Sequence, residues 1–167
     1  MATSTLGLRP SPATIPLIST SLTVFYAIVE TTIFIPFLRS AEEDLPATSG
    51  TVRRWWTHYL PAGLATIFSV TVPTIVSGLY ALRSYPRGSL HWKLSAAGAA
   101  FAAGHFLFVP TIAKVIEKAS QEEEEKKGET INWLRRWLNI HAWRTFSTDV
   151  PALACFAWIV FGSQNVN

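Results

Sequence analysis

Residues 15–38, 60–82 and 91–115 form three long, nearly charge-free apolar stretches. Each reaches the length of about 20 residues at which a helix crosses the hydrocarbon core of a bilayer. Lipid offers no partner to backbone N–H and C=O groups, so a run of this kind has helix as its available local structure. A fourth, shorter run covers residues 145–161. Composition agrees: 15% of residues are charged, against about 25% in soluble domains. The expected fold is all-α, a polytopic membrane protein with a four-transmembrane-helix bundle over residues 15–162. Flexible tails are expected at 1–14 and 163–167. The first run is too long for the apolar part of a signal peptide, has only Arg9 before it and lacks a small-residue cleavage site after it, so it is expected to stay as a span. The single cysteine, Cys155, excludes a disulfide within the chain. Basic residues gather at the ends of the apolar runs, which suits lipid headgroups and not a nucleic-acid groove.

The segment RSAEEDLPATSG between the first two runs is predicted to be a turn-rich loop, and RSYPRGS between the next two a tight turn. EKASQEEEEKKGET is predicted to be a solvated helix end and loop. INWLRRWLNIHAWRTF has helical spacing and should approach the membrane obliquely as the start of the fourth helix, its tryptophans at headgroup depth. Ten basic residues, from Arg39, Arg53 and Arg54 to Arg135, Arg136 and Arg144, fall on one side, against Arg9, Arg83, Arg87 and Lys93 on the other. The positive-inside rule makes the first side cytoplasmic and the termini lumenal, in an endomembrane.

The first run carries one carboxylate, Glu30, about 12 Å inside its cytoplasmic end at the helical rise. His105 in the third run lies about 15 Å deep by the same measure. Thr20, Thr23, Tyr26 and Glu30 share one helix face. The small residues of 96–104 would let a neighbouring helix approach it. His58, Tyr59 and Trp56 at the start of the second helix, and His141, Arg144 and Asp149 on the fourth, bring further polar groups to the same half. Ionisable residues inside a membrane are costly and mark sites or pathways. Each also has a structural use: Glu30 pairing with His105 or Arg144, Arg144 reaching for phosphates, Asp149 capping beside Pro151. No phosphate-binding glycine loop, cysteine cluster, HExxH or Gly-x-Ser-x-Gly occurs, and the four histidines do not follow metal-ligand spacing on any one helix. No metal is expected. What remains is acid–base work on an apolar molecule, with a desolvated carboxylate as base and cationic groups to hold an anion.

A carboxylate in the first helix, WWTHYLPAG opening the second and FVPT at residues 108–111 are accompanied by Trp137, His141 and Arg144 in Trp-x-x-x-His-x-x-Arg spacing. With these features the chain resembles the small membrane anthrone oxygenases of fungal polyketide pathways over residues 20–162. It departs at Ile112, where many members carry Asn. The resemblance implies a monooxygenase of secondary metabolism that oxidises an anthrone-like carbon to a quinone with O2 as co-substrate and no other cofactor. Glu30, or His105 held by Glu30, would remove the proton, Arg144 and His141 would stabilise the anion, and Asp149 would complete the polar set. Tyr26 or His58 would donate protons, and Tyr26, Tyr59, Trp56, Phe108, Trp143, Phe25 and Phe101 would wall a small hydrophobic aromatic substrate. Two other readings stay open: a cofactor-free isomerase or cyclase with the same residues, and a proton-coupled transporter built on Glu30. The partners expected are the bilayer and the substrate, without nucleic acid; a homo-oligomer is compatible with all three readings.

Overall fold

The structure, a computed structural model, describes residues 11–162; the predicted tail at 163–167, most of that at 1–14, and Arg9 lie outside the described residues. Those described are helical, without strands. Helix α1 (Thr14–Glu43) is joined to α2 (Leu45–Ala81) by Asp44 alone. The predicted 1–2 loop is therefore absent, and the second helix begins far ahead of residue 60. Asp44 is extended, its carboxylate accepts the Ala47 N–H at 3.0 Å, and its own N–H donates to Ser40. With Pro46 in the first turn of α2, one capping residue both stops one helix and starts the next.

A 3-10 turn (Leu82–Ser84) and a bend closed by the Ser89 N–H on Pro86 C=O lead into α3 (Leu90–Gly104), with Gly88 at φ 79° where a side chain would be strained. The third rod tightens to 3-10 geometry over His105–Phe108 and continues as α4 (Val109–Ala119). Pro110 accounts for the change, because it lacks the N–H that would bond back one turn. A short α5 (Glu122–Lys126) precedes α6 (Thr130–Arg144), which passes through a π-helical segment (Thr145–Asp149) into α7 (Val150–Phe161). The fourth rod thus starts at Thr130, with INWLRRWLNIHAWRTF as its first part, ahead of the apolar run at 145–161. Pro151 withholds another backbone donor, while the Thr145, Ser147 and Thr148 hydroxyls bond carbonyls four residues back, at 2.9, 2.6 and 2.7 Å.

The four rods close a ring, α1 on α2, α2 on α3, α3 on α7 and α7 on α1. At the other end α4 packs on α6 but scarcely touches α2. Three rods, Thr14–Glu43, Leu45–Ser84 and Leu90–Ala119, are long and apolar enough to cross a membrane. Their polarity is turned inside out: Thr20, Thr23, Thr71, Thr74 and Ser95 are buried, while Ile15, Phe25, Val76 and Leu107 face outward. Ser19 and Ser95 tie rods together by donating to Val70 C=O (2.5 Å) and Gly78 C=O (2.8 Å). Two cores form. One stacks Phe34 on Trp56 (centroids 4.6 Å) with Trp137 against both, so these two tryptophans are core residues and not headgroup anchors. The other seats Phe156 against Gly78 and Gly98, whose missing side chains leave room for its ring.

Candidate functional site

Both irregular turns bring chemistry to the same place. The 3-10 turn of the third rod holds His105, and the π-segment of the fourth separates Arg144 from α7 and ends on Asp149. Irregular turns of this kind recur at functional sites. Here they let two side chains on different rods meet: His105 Nδ1 lies 2.9 Å from Asp149 Oδ1, both residues nearly inaccessible. The carboxylate can only accept, so Nδ1–H donates, and Nε2 is the ring nitrogen left for another molecule. Thr148 Oγ1 lies 3.1 Å from the same carboxylate oxygen, its one hydrogen shared between that oxygen and the nearer Arg144 C=O.

Arg144 sits between the histidine pair and α1. Its Nη2 donates to His141 Nδ1 at 3.0 Å, while its Nε stands 3.6 Å from Asp149 Oδ2, inside ion-pair range but beyond a hydrogen bond. That Nε and that Oδ2 are buried without a hydrogen-bond partner. His141 Nε2 is 3.0 Å from Ala27 C=O. A carbonyl accepts and a guanidinium donates, so His141 is a neutral ring with its proton on Nε2. The 3.6 Å approach of Glu30 Oε2 to His141 Nδ1 is consequently not an ion pair. His141 serves as a buried brace between α1 and Arg144.

Glu30 has a different partner from the one expected. Its Oε1 accepts the Tyr59 hydroxyl at 3.2 Å, and Tyr59 is hydrogen-bonded in turn to the Tyr26 hydroxyl. Gly63 makes this possible, since a Cβ there would stand 2.9 Å from Tyr59 Cε1 and 3.3 Å from the Tyr26 hydroxyl oxygen. The expected pairing of Glu30 with His105 is corrected: His105 is held by Asp149, because the π-segment turns that carboxylate toward the third rod.

These groups line a cavity of about 580 Å³ between α2 and α4. Tyr26, Glu30, Trp56, Tyr59, His105 and Arg144 contribute to its wall. His141 and Asp149 lie behind it, touching Arg144 and His105. The remaining predicted wall residues are elsewhere. His58 lines a separate outer depression with Arg54, Trp55 and Ala62, on the far side of Tyr59. Trp143 is 74% exposed, Phe25 63%, Phe101 faces outward, and Phe108 is not among the lining residues. Phe25, Phe101 and Trp143 stand on regular helix, where the step of about 100° per residue turns Phe25 away from Tyr26 and Trp143 away from Arg144. Arg144, counted among the interfacial cations, is buried instead.

Sequence reasoning missed the far half of the cavity. Val109, Ile112, Ala113, Ile116, Glu117 and Ser120 line it at spacings of three and four along one face of α4, a signal that was legible. Trp137 and Gly63 belong to the wall too, the first hidden by its likeness to a headgroup anchor. Among the described residues, no three His, Cys, Asp or Glu side chains come together as a metal would require. Compared with protein-family models, curated proteins and solved structures, the chain matches none.

Proposed function

We propose that this chain is a membrane enzyme with four spans, the fourth provided by residues 130–161, that oxidises a flat, apolar, anthrone-like carbon acid to a quinone with O2. One observation carries the reading: a histidine oriented by a buried carboxylate faces an apolar cavity that has an arginine on the same wall. This is the pairing a general base needs, with a cation placed for the anion that proton removal creates. Leu60, Leu64 and Val109 line the cavity and also present surface to the outside, so a lipid-dissolved substrate can arrive along the α2–α4 seam. The cytoplasmic side of an endomembrane suits the basic end of the bundle.

In the proposed reaction His105 Nε2 takes the proton from the doubly benzylic carbon. Negative charge moves to the ring oxygen, where Arg144 stabilises it. The electron-rich anion passes an electron to O2, the radicals combine to a peroxide anion on that carbon, and the proton held by His105 converts it to the hydroperoxide. A second proton leaves the same carbon to Glu30, the O–O bond breaks, and the departing hydroxide takes that proton back from Glu30 as water. In sum, the ring methylene and one O2 become a ring carbonyl and one water. Tyr59 and Tyr26 connect Glu30 to the cavity.

The test is O2 uptake by membranes containing the protein, supplied with emodin anthrone. Uptake with quinone formation, lowered about 10²–10⁴-fold by His105→Gln, is expected from removal of a general base. No uptake above the spontaneous rate would overturn the oxygenase reading and leave the isomerase or cyclase reading of the same residues. A cation/proton antiporter is disfavoured by Arg144, which would repel a cation at the same wall.

A further inference from the structure

The cavity is longer than the site it contains. From His105 to Gln121 it follows α4 for about 24 Å at the helical rise, beyond the length of three fused six-membered rings. Its lining changes character along that path. Around His105 stand the charged and polar groups described above. The middle, formed by Leu60, Ile112, Ala113, Ile116 and Trp56, is apolar. The outer end, beside the α4–α5 connection, is polar again with Thr57, Glu117, Ser120 and Gln121.

Those outer groups are set almost entirely to accept. Thr57 Oγ1 donates to Arg53 C=O at 3.0 Å and Ser120 Oγ to Ile116 C=O at 2.8 Å, so each hydroxyl has spent its hydrogen and offers lone pairs alone. Glu117 adds a carboxylate. The amide of Gln121 can donate, its oxygen already taking Lys118 Nζ at 3.3 Å. Lys118 also pairs with Glu124 at 3.8 Å and does not line the cavity, so among the described residues the one charged side chain lining this end is Glu117, whereas the inner end has the cation of Arg144 beside Glu30.

We propose that the cavity takes an elongated amphiphile, inserted in one direction: an aromatic body at His105 and Arg144, and a far substituent bearing hydroxyl or amine donors, seated among Glu117, Ser120 and Thr57. A carboxylate on that substituent would meet Glu117 and be rejected. The inference rests on reading the inner end as a site for flat aromatic substrates, and adds which member of that class is accepted.

Anthraquinones bearing on an outer ring an alkyl chain long enough to cover the apolar middle, ended in hydroxyl, amine or carboxylate, are suitable probes, because the quinone carbon is already oxidised and binding is read without turnover. Binding to the protein in nanodiscs would be followed by quenching of tryptophan fluorescence, with Trp56 and Trp137 on the wall and empty nanodiscs as control. The expected result is that the hydroxyl-ended and amine-ended compounds bind about tenfold more tightly than the carboxylate-ended one. Glu117→Gln, an exposed substitution, should remove most of that gap. Equal binding of all three, tighter binding of the carboxylate, or an equal shift of all three in Glu117→Gln would overturn this proposal alone. Failure of every probe to bind would overturn the aromatic-substrate reading with it.

Discussion

His105 donates from Nδ1 to Asp149 at 2.9 Å across two rods, and each residue sits where its own helix departs from α geometry. Position along the rod, helix irregularity and tautomer are thus fixed together. If the pair is the base, Asp149→Asn should lower kcat about 10–100-fold while leaving KM nearly unchanged, since the carboxylate orients the ring and does not touch substrate. Equal loss in KM alone would instead place Asp149 in binding.

The Tyr59–Glu30 hydrogen bond depends on a missing side chain. In Gly63→Ala the new Cβ would meet Tyr59 Cε1 at 2.9 Å and Cζ at 3.2 Å, forcing the ring away and breaking its bond to Glu30. Turnover should fall by at least the effect of Tyr59→Phe, measured side by side on O2 uptake. Wild-type activity in both would remove the tyrosine pair from the mechanism.

Close approach of α3 and α7 rests on Gly98, where a Cβ would lie 2.7 Å from Phe156 Cζ. Gly98→Ala should destabilise the protein by about 1–3 kcal/mol through overpacking. Adding Phe156→Leu should recover part of the loss. Thermal unfolding in detergent, single against double variant, checks both.

A pH effect is expected at the α5 connection, outside the apolar spans. The Trp133 indole N–H donates to Glu124 at 3.0 Å and, with Lys127, holds the Glu124 carboxyl below the usual carboxylate range. With the folded value depressed, the stabilisation is complete above the unfolded value of about 4.3. It disappears as pH falls through the folded value. Protection from hydrogen exchange over residues 122–129 should fall in that acid window, and Glu124→Gln should lessen the pH dependence, leaving the share of Glu122, which Lys126 also holds low.

The sequence by itself determined that the chain is helical and built from apolar rods, because lipid-length runs without charge leave the backbone no other partner. It also pointed to Glu30, His105, Arg144, His141 and Asp149 as unusual, since charge inside such runs is costly wherever it falls. It could not pair them. Uniform helical spacing places Glu30 and His105 at like depth. The 3-10 turn before Pro110 and the π-segment before Pro151 change the register, joining His105 to Asp149. Asp44 ended one helix and began the next where polar composition resembled a loop. Trp56 and Trp137 became a stacked core, because an aromatic residue near a helix end reads alike whether it anchors in headgroups or packs on Phe34. Local composition specifies what each segment is, but which side chains meet depends on where neighbouring rods interrupt their backbone hydrogen bonds.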